Sequence, residues 1–289
     1  MKRILLVTAI LIPALSCMGK NPSLYKTYKA AEPAAGAPAE TGETGPASGA
    51  ASIQKQLARA MELAELPPAI SGDIGGNSGA FAGDLQGILA EEDPYLRILV
   101  DKRHPLPEGY EPKDLIELRY GSYRAGIADP MMLRRKAEEA LEEMAAAAKA
   151  EGLVLTVSSA YRSYEYQIGS FDRWTRRLGL REAERVSARP GRSQHQLGLV
   201  VDFGSITNEF AQTAAGRWVN ANAGRFGWSV SFPRGYEELT GYAWESWHYR
   251  YVGRELCAFI DRWFNGIQQY ALRFIHEWEH LAANQRQGS

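Results

Sequence analysis

Residues 191–203 read Gly-Arg-Ser-Gln-His-Gln-Leu-Gly-Leu-Val-Val-Asp-Phe, and the rest of the chain can be understood around them. The apolar run from Leu199 to Val201 predicts a short buried strand. His195 lies in the polar loop before this strand, and Asp202 lies at its end. An imidazole and a carboxylate placed in this way can hold a metal ion, provided that other parts of the chain supply the remaining groups.

The stretch 244–253 can complete such a site, since it reads Trp-Glu-Ser-Trp-His-Tyr-Arg-Tyr-Val-Gly. Zinc hydrolases hold the metal with three protein ligands and leave the fourth position to water. A nearby carboxylate then accepts the proton of that water. His248 is the candidate third ligand and Glu245 the candidate base. In an ideal strand these two side chains would point to opposite faces, so a turn or bulge between them is required.

Arg162 lies at the junction of a predicted strand and a predicted helix. The strand covers Leu153 to Ser158, and Ser163 is a suitable N-cap for a helix that runs to about Leu178. An arginine at such a junction can bind a carboxylate or stabilise an oxyanion. The alternative is a surface arginine beside tyrosines.

Three blocks together resemble a known family. The blocks 159–167, 193–202 and 245–253 are similar to those of the VanY-type D-alanyl-D-alanine carboxypeptidases, which are zinc metallopeptidases that trim peptidoglycan stem peptides. The resemblance covers roughly residues 95–264. The chain differs from the family pattern at Val200, where alanine is usual, and in a long helical tail after Gly253.

The resemblance implies an α+β fold, in which a small antiparallel sheet carries the zinc site, helices flank it as in hedgehog and D,D-peptidase folds, and a long C-terminal helix follows. It implies Zn²⁺ as the cofactor and hydrolysis of the terminal D-alanyl-D-alanine bond of peptidoglycan stem peptides. The implied residues are His195, Asp202 and His248 as metal ligands, Glu245 and Arg162 as catalytic groups, and Ser193, Gln167 and Tyr161 as substrate contacts.

Other activities remain open for the same residues. The site could remove a residue as an L,D-carboxypeptidase, or cleave an internal crosslink as an endopeptidase. A different class is a peptidoglycan-binding lipoprotein without catalysis, against which the complete ligand set and Glu245 argue. The sequence does not define an oligomeric state.

A second metal motif competes with the first. His276-Glu277-Trp278-Glu279-His280 matches the zincin pattern H-E-x-x-H, which places two histidines on one helix face. No aspartate, glutamate, histidine or cysteine follows in residues 281–289 to act as a third ligand. We therefore expect an amphipathic helix with two surface histidines.

The N-terminus has the pattern of an export signal. Lys2 and Arg3 precede an apolar segment, and Ala14-Leu15-Ser16-Cys17 resembles a bacterial lipobox. We expect lipidation of Cys17, anchoring to a membrane of the cell envelope and a periplasmic location. The alternative is ordinary secretion with cleavage nearby.

The predicted organisation has four parts. Residues 1–17 are the lipoprotein signal peptide, and residues 18–92 are a flexible tether rich in Ala, Gly and Pro. The tether contains one short helix from Ile53 to Leu66, and the Gly-rich segment from Ser71 to Gly87 is expected to be irregular. Residues 93–256 form the zinc D,D-carboxypeptidase domain, and residues 257–289 a C-terminal helical extension.

The charge balance and the cysteine count restrict the classes of protein to which the chain can belong. The 289 residues contain 33 basic and 34 acidic side chains, so nothing favours a nucleic-acid partner. The two cysteines exclude a disulfide-stapled scaffold.

Overall fold

The computed structural model describes residues 46–107, 109–125 and 130–287. The predicted signal peptide 1–17, Cys17 and the tether up to residue 45 lie outside the described residues. The described helices are α1 (Pro46–Leu63), α2 (Pro68–Gly76), α3 (Ser78–Leu89), α4 (Arg135–Ala150), α5 (Tyr164–Leu178), α6 (Leu180–Val186), α7 (Ala214–Asn222), α8 (Glu237–Thr240), α9 (Arg254–Trp263) and α10 (Gln268–Gln287). The described strands are β1 (Leu115–Glu117), β2 (Arg124–Ala125), β3 (Met132–Arg134), β4 (Thr156–Ser159), β5 (Val200–Phe203), β6 (Trp228–Val230) and β7 (His248–Tyr251).

A five-stranded sheet with the order β2-β4-β5-β7-β6 forms the centre of the fold. The pairs β4–β5, β5–β7 and β6–β7 are antiparallel, and the short β2 pairs with β4 in parallel. β1 and β3 form a separate two-stranded antiparallel sheet. Small sheets with helices around them and a long C-terminal helix confirm the predicted α+β class.

The apolar face of α4 packs on this sheet. Leu141 and Met144 of the helix are fully buried and belong to one cluster with Val157, Val201 and Phe203 of the strands. Burial of side chains of this size stabilises the fold by about 1.5–3 kcal/mol each. This cluster covers one face of the sheet, and Asp202, which lies between Val201 and Phe203 on β5, projects from the other face.

The prediction of a flexible tether is wrong for the part that the structure describes. The segment 71–87 is almost entirely helical, although each glycine in a helix costs about 0.8–1 kcal/mol relative to alanine. Tertiary packing outweighs this cost, because Phe81 is completely buried with its ring centroid 5.3 Å from those of both Phe259 and Trp263. α1, α2 and α3 thus share a second apolar cluster with α9 and α10.

The C-terminal extension consists of two helices, α9 and α10. The break between them includes Asn265 and Gly266, which both have positive φ, at 53° and 73°. Asparagine and glycine tolerate this conformation better than other residues, so the chain can turn sharply here. None of the described helices is long and apolar enough to cross a membrane.

Arg250 connects the segment 95–98 to the sheet by hydrogen bonds. Its side chain on β7 is completely buried, and Nη2 donates to the carbonyl oxygens of Tyr95, Leu96 and Ile98 at 3.0, 3.3 and 2.9 Å. Burial lowers the pKa of this guanidinium to about 9. Arg250 therefore holds residues 95–98 across the sheet and takes no part in the metal site.

Candidate metal centre

His195 lies in a short 3₁₀ helix, Gln194–Leu197, directly before β5. Its Nδ1–H donates to the carbonyl oxygen of Ala160 at 2.7 Å, which leaves Nε2 free to face the site. Gly198 follows in the left-handed conformation with φ of 66° and turns the chain from the 3₁₀ helix into the strand. Gly198 therefore brings His195 next to the strand that carries Asp202.

Asp202 and His248 lie directly opposite each other on β5 and β7. Opposed residues of an antiparallel pair project from the same face of the sheet, so the two side chains meet. His248 Nδ1 lies 3.3 Å from Asp202 Oδ1, and His195 Nε2 lies 3.2 Å from Asp202 Oδ2. One ligand atom from each of the three buried residues lies within 4.8 Å of the others, so the structure gathers the predicted ligand set.

Glu245 reaches the same place through a turn. Residues 246 and 247 form the turn before β7, and the backbone N–H of His248 donates to the carbonyl oxygen of Glu245 at 3.5 Å. The carboxylate Oε2 of Glu245 lies 3.2 Å from Nδ1 of His248. The turn that the sequence required between base and ligand is present.

The electrostatics of this cluster suit a divalent cation. Asp202 Oδ1 is buried and accepts no hydrogen bond. Burial opposes ionisation of Asp202, but the two imidazoles and the Arg162 guanidinium lower its pKa well below the ordinary value. Burial lowers the pKa of His195 to about 4, which keeps this ring neutral, as a metal ligand must be.

Burial and neighbouring charges also shift the pKa values of His248 and Glu245. Burial alone would lower the pKa of His248, but its contacts with the Asp202 and Glu245 carboxylates raise it to about 9. Burial raises the pKa of Glu245 above its ordinary value. The buried Asp202 carboxylate and the largely buried Glu245 carboxylate therefore converge on His248, and the Arg162 guanidinium contacts Asp202. Nitrogen, nitrogen and oxygen donors of this kind form a usual ligand set for zinc.

Arg162 lies at the edge of the site, in the junction between β4 and α5. Its Nη2 donates to Asp202 Oδ2 at 2.7 Å and its Nε donates to Ser159 Oγ at 2.9 Å, while about a quarter of the side chain (23%) is exposed. A guanidinium held in this way has donors directed to the site and to solvent. Its role toward substrate stays a prediction.

The three predicted substrate contacts differ in their surroundings. Tyr161 is partly exposed beside Arg162, and Ser193 is buried directly before the 3₁₀ helix of His195. Gln167 is 1% exposed, and its Nε2 donates to the carbonyl oxygen of Ala188 at 2.7 Å. In this structure Gln167 supports the segment that leads to the site and is not open to solvent.

Two residues that contact His248, Phe232 and Gln194, were not predicted to belong to the site. The Phe232 ring packs 4.6 Å from the His248 ring, centroid to centroid, and forms an apolar wall. Gln194 Oε1 lies 3.3 Å from His248 Nε2 on the other side of the ring. Gln194 directly precedes the ligand His195 in sequence. Its contact with His248, 54 residues later, depends on the position of β7 and is not visible in the local sequence.

The second motif does not gather a ligand set. His276 and His280 lie one turn apart on α10 with ring centroids 4.2 Å apart, and His104 packs on His276 at 4.7 Å. Within residues 46–107, 109–125 and 130–287, only His195, Asp202 and His248 form a group of three potential ligands at metal-binding separations. His280 is exposed and His276 partly buried, in agreement with an ordinary packed helix.

Two imidazoles and a carboxylate around one point, with a second carboxylate beside them, define a metallopeptidase type of site. A family model described as "VanY: D-alanyl-D-alanine carboxypeptidase" matches residues 130–254. The chain is 30% identical over 220 residues to a D-alanyl-D-alanine carboxypeptidase of Enterococcus faecalis, an alignment that covers 71% of this chain and 78% of the relative. The chain belongs to the VanY-type D-alanyl-D-alanine carboxypeptidase family.

Further similarities agree with this membership. The chain is 39% identical over 171 residues to the putative carboxypeptidase YodJ of Bacillus subtilis, an alignment that covers 56% of this chain and spans 62% of that relative. Among solved structures, the LdcB LD-carboxypeptidase has a TM-score of 0.56 at 34% identity, covering 63% of this chain and 87% of the other. A variant of the D,D-pentapeptidase VanY in complex with Zn(II) has a TM-score of 0.51 at 30% identity, covering 62% and 98%.

Proposed function

We propose that this protein is a zinc-dependent carboxypeptidase that removes the terminal D-alanine from peptidoglycan stem peptides. The observation that carries the proposal is the convergence of His195, Asp202 and His248, with Glu245 beside them, in a chain of the VanY family. Relatives with D-alanyl-D-alanine carboxypeptidase names and a zinc-bound VanY structure support both the metal and the substrate class.

The residues around the metal position divide the chemistry among them. Zinc bound by the three ligands would polarise the scissile carbonyl and favour deprotonation of water. The Glu245 carboxylate accepts the proton of the attacking water and delivers it to the leaving amine. The Arg162 guanidinium stabilises negative charge that develops on the carbonyl oxygen, or binds the terminal carboxylate of the substrate.

Mass spectrometry of purified muropeptides before and after incubation tests this proposal. We expect a pentapeptide stem that ends in D-Ala-D-Ala to lose the mass of one alanine, and we expect a chelator to stop the loss and zinc to restore it. Turnover that persists in the presence of the chelator would contradict the metal assignment. Unchanged masses with every muropeptide would leave the protein as a non-catalytic peptidoglycan-binding lipoprotein.

A second candidate activity is L,D-carboxypeptidase, and the similarity to the LdcB LD-carboxypeptidase supports it. In the same experiment, an L,D-enzyme would shorten a tetrapeptide stem and leave the pentapeptide unchanged. An endopeptidase would instead convert a crosslinked dimer to two monomers. The three products differ in mass, so one digest separates the three specificities.

We further propose export to the cell envelope with a lipid on Cys17, facing the periplasm. The basic residues Lys2 and Arg3, the apolar segment after them and the lipobox-like Ala14-Leu15-Ser16-Cys17 support this proposal. Fractionation tests it, because Cys17→Ser would move the protein from the membrane fraction to the soluble periplasmic fraction. The same membrane association in both proteins would contradict lipidation.

A further inference from the structure

A chain of buried polar side chains connects the metal ligand His248 to the C-terminal helix α10. Gln194 is 4% exposed, Ser231 2% and Gln268 1%. Ser231 Oγ donates to Gln194 Oε1 at 2.7 Å and lies 3.4 Å from Gln268 Oε1. Gln194 Oε1 in turn lies 3.3 Å from His248 Nε2. We call Gln194, Ser231 and Gln268 the polar chain.

The chemistry of a metal-binding imidazole explains the contact with Gln194. Nδ1 of His248 faces the carboxylates of Asp202 and Glu245 and would bind the metal, and the neutral ring would then carry its hydrogen on Nε2. A buried N–H without an acceptor is unfavourable, because it has lost its hydrogen bond to water. The Gln194 carbonyl oxygen accepts this hydrogen and so fixes both the tautomer and the rotation of the ring.

Ser231 supports the orientation of the Gln194 amide that faces His248. The Gln194 oxygen that lies 3.3 Å from His248 Nε2 also accepts the hydroxyl hydrogen of Ser231, so two donors stabilise this end of the amide at the ring. Ser231 also receives support from the backbone, since its N–H donates to the carbonyl oxygen of His248 at 3.2 Å. The acceptor is therefore held in place by the strand that carries the ligand.

Gln268 extends this support to the C-terminal extension. It is the first residue of α10, beyond the residues 130–254 that the family model matches. Its Nε2 donates to the carbonyl oxygen of Ser229 at 3.3 Å, while its Oε1 faces the Ser231 hydroxyl. Gln268 thus contacts both ends of the segment 229–231, which presents Ser231 to Gln194.

We propose that Gln194 is a positioning residue for the metal ligand His248, and that the C-terminal helix takes part in this positioning through Gln268 and Ser231. The helical extension is then part of the support of the metal centre as well as part of the apolar core. The inference rests on the proposed zinc site and does not depend on which peptide bond is cleaved.

Zinc affinity of the purified protein, measured by competition with a chromogenic chelator and without substrate, tests the proposal. Gln194→Met keeps the length of the side chain and removes the acceptor, and we expect it to weaken zinc binding by about 10–100-fold, the usual range for partners of metal ligands. Gln194→Glu keeps an acceptor at the same position, so we expect zinc affinity equal to or higher than that of the wild type. Gln194→Met with wild-type affinity would overturn the proposal.

Gln269 provides a matched control for the helix. It is 3% exposed on the same turn of α10, but its Nε2 donates to Asp101 Oδ2 at 2.9 Å, away from the polar chain. We expect Gln268→Met to weaken zinc binding several-fold and Gln269→Met to leave it unchanged, while both lower the unfolding temperature of the apoprotein. Equal effects of the two variants on zinc affinity would overturn the part assigned to Gln268.

A spectrum separates positioning from general destabilisation. With Co²⁺ in place of Zn²⁺, the absorption bands report the geometry of the ligands, and we expect Gln194→Met to shift them and Gln269→Met to reproduce the wild type. Unshifted bands in Gln194→Met would count against the proposal. Wild-type protein that binds zinc but cleaves no muropeptide would contradict the proposed function and leave this inference intact.

Discussion

Asp202 and His248 are paired residue for residue on neighbouring antiparallel strands, with Asp202 Oδ1 3.3 Å from His248 Nδ1. The register between β5 and β7 therefore places two of the three predicted metal ligands side by side. A slip of one residue would turn one of the two side chains to the other face of the sheet. The site and the sheet thus depend on the same hydrogen bonds.

Replacement of Asp202 tests the ligand set. Asp202→Asn keeps the size of the side chain and removes its charge, and we expect zinc affinity to fall by more than about 100-fold, beyond the range typical of partners outside the ligand set. Chelator competition measures the change. Asp172→Asn, on the exposed face of α5, is the control and should bind zinc as the wild type does. Tight zinc binding by Asp202→Asn would remove Asp202 from the ligands.

Replacement of Glu245 tests the base. Glu245→Gln leaves the three ligands intact, so we expect zinc affinity within a few-fold of the wild type and a kcat lower by about 10²–10⁴. Turnover of a D-Ala-D-Ala peptide, followed by release of D-alanine, measures the loss. Glu255→Gln on the exposed side of α9 should leave kcat unchanged. A Glu245→Gln protein with a near-normal rate would mean that another group moves the proton.

Gly198 should be intolerant of a side chain for two reasons. Its φ of 66° strains any other residue by about 1–2 kcal/mol, and an added Cβ would lie 2.8 Å from Leu115 Cδ2. Gly152 has a φ of 79° and open space around the same position, so Gly152→Ala measures the strain alone. We expect the free energy of unfolding in urea to fall by about 1–3 kcal/mol more for Gly198→Ala than for Gly152→Ala. Equal losses would mean that the Leu115 side chain moves away at no cost.

His276 should make stability depend on pH. Burial, followed by the neighbouring His280 and His104 rings, lowers the pKa of His276 to about 4, against 6.5 as the ordinary value, and only Asp101 opposes this. Between pH 6.5 and 4 the unfolded chain binds the proton more readily, so the wild type loses stability as pH falls and is unaffected by this group above pH 6.5.

The variant His276→Gln removes this dependence. We expect its unfolding free energy, relative to that of the wild type, to improve as the pH is lowered from 7.5 to 5. Urea unfolding of both proteins at several pH values measures the difference, in which the contributions of groups distant from His276 cancel. Parallel curves for the two proteins would contradict the depressed pKa of His276.

Most of the metal site could be predicted because its members lie in short, ordered motifs. His195 and Asp202 flank one strand, and Glu245 and His248 are separated by two residues, so only local geometry had to be inferred. The necessary turn at residues 246 and 247 follows from the alternation of side chains along a strand.

Interactions between distant parts of the chain could not be predicted in this way. Gln194 contacts His248, which lies 54 residues away, and nothing in the local sequence of either residue indicates the other. The helices α2 and α3 contain glycines that lower helix propensity, and only the burial of residues such as Phe81 against α9 and α10 explains why they form. The low helix propensity of this segment predicted a flexible tether, but its tertiary contacts stabilise helices.

The apolar cluster that joins the N-terminal helices to α9 and α10 limits how far the enzyme can be shortened from its N-terminus. A protein truncated before Asp93, where the predicted catalytic domain begins, would expose the apolar faces of Phe259, Phe264 and Phe274 to water. Exposed patches of this kind promote aggregation. The stable catalytic unit therefore begins well upstream of the residues that carry its chemistry.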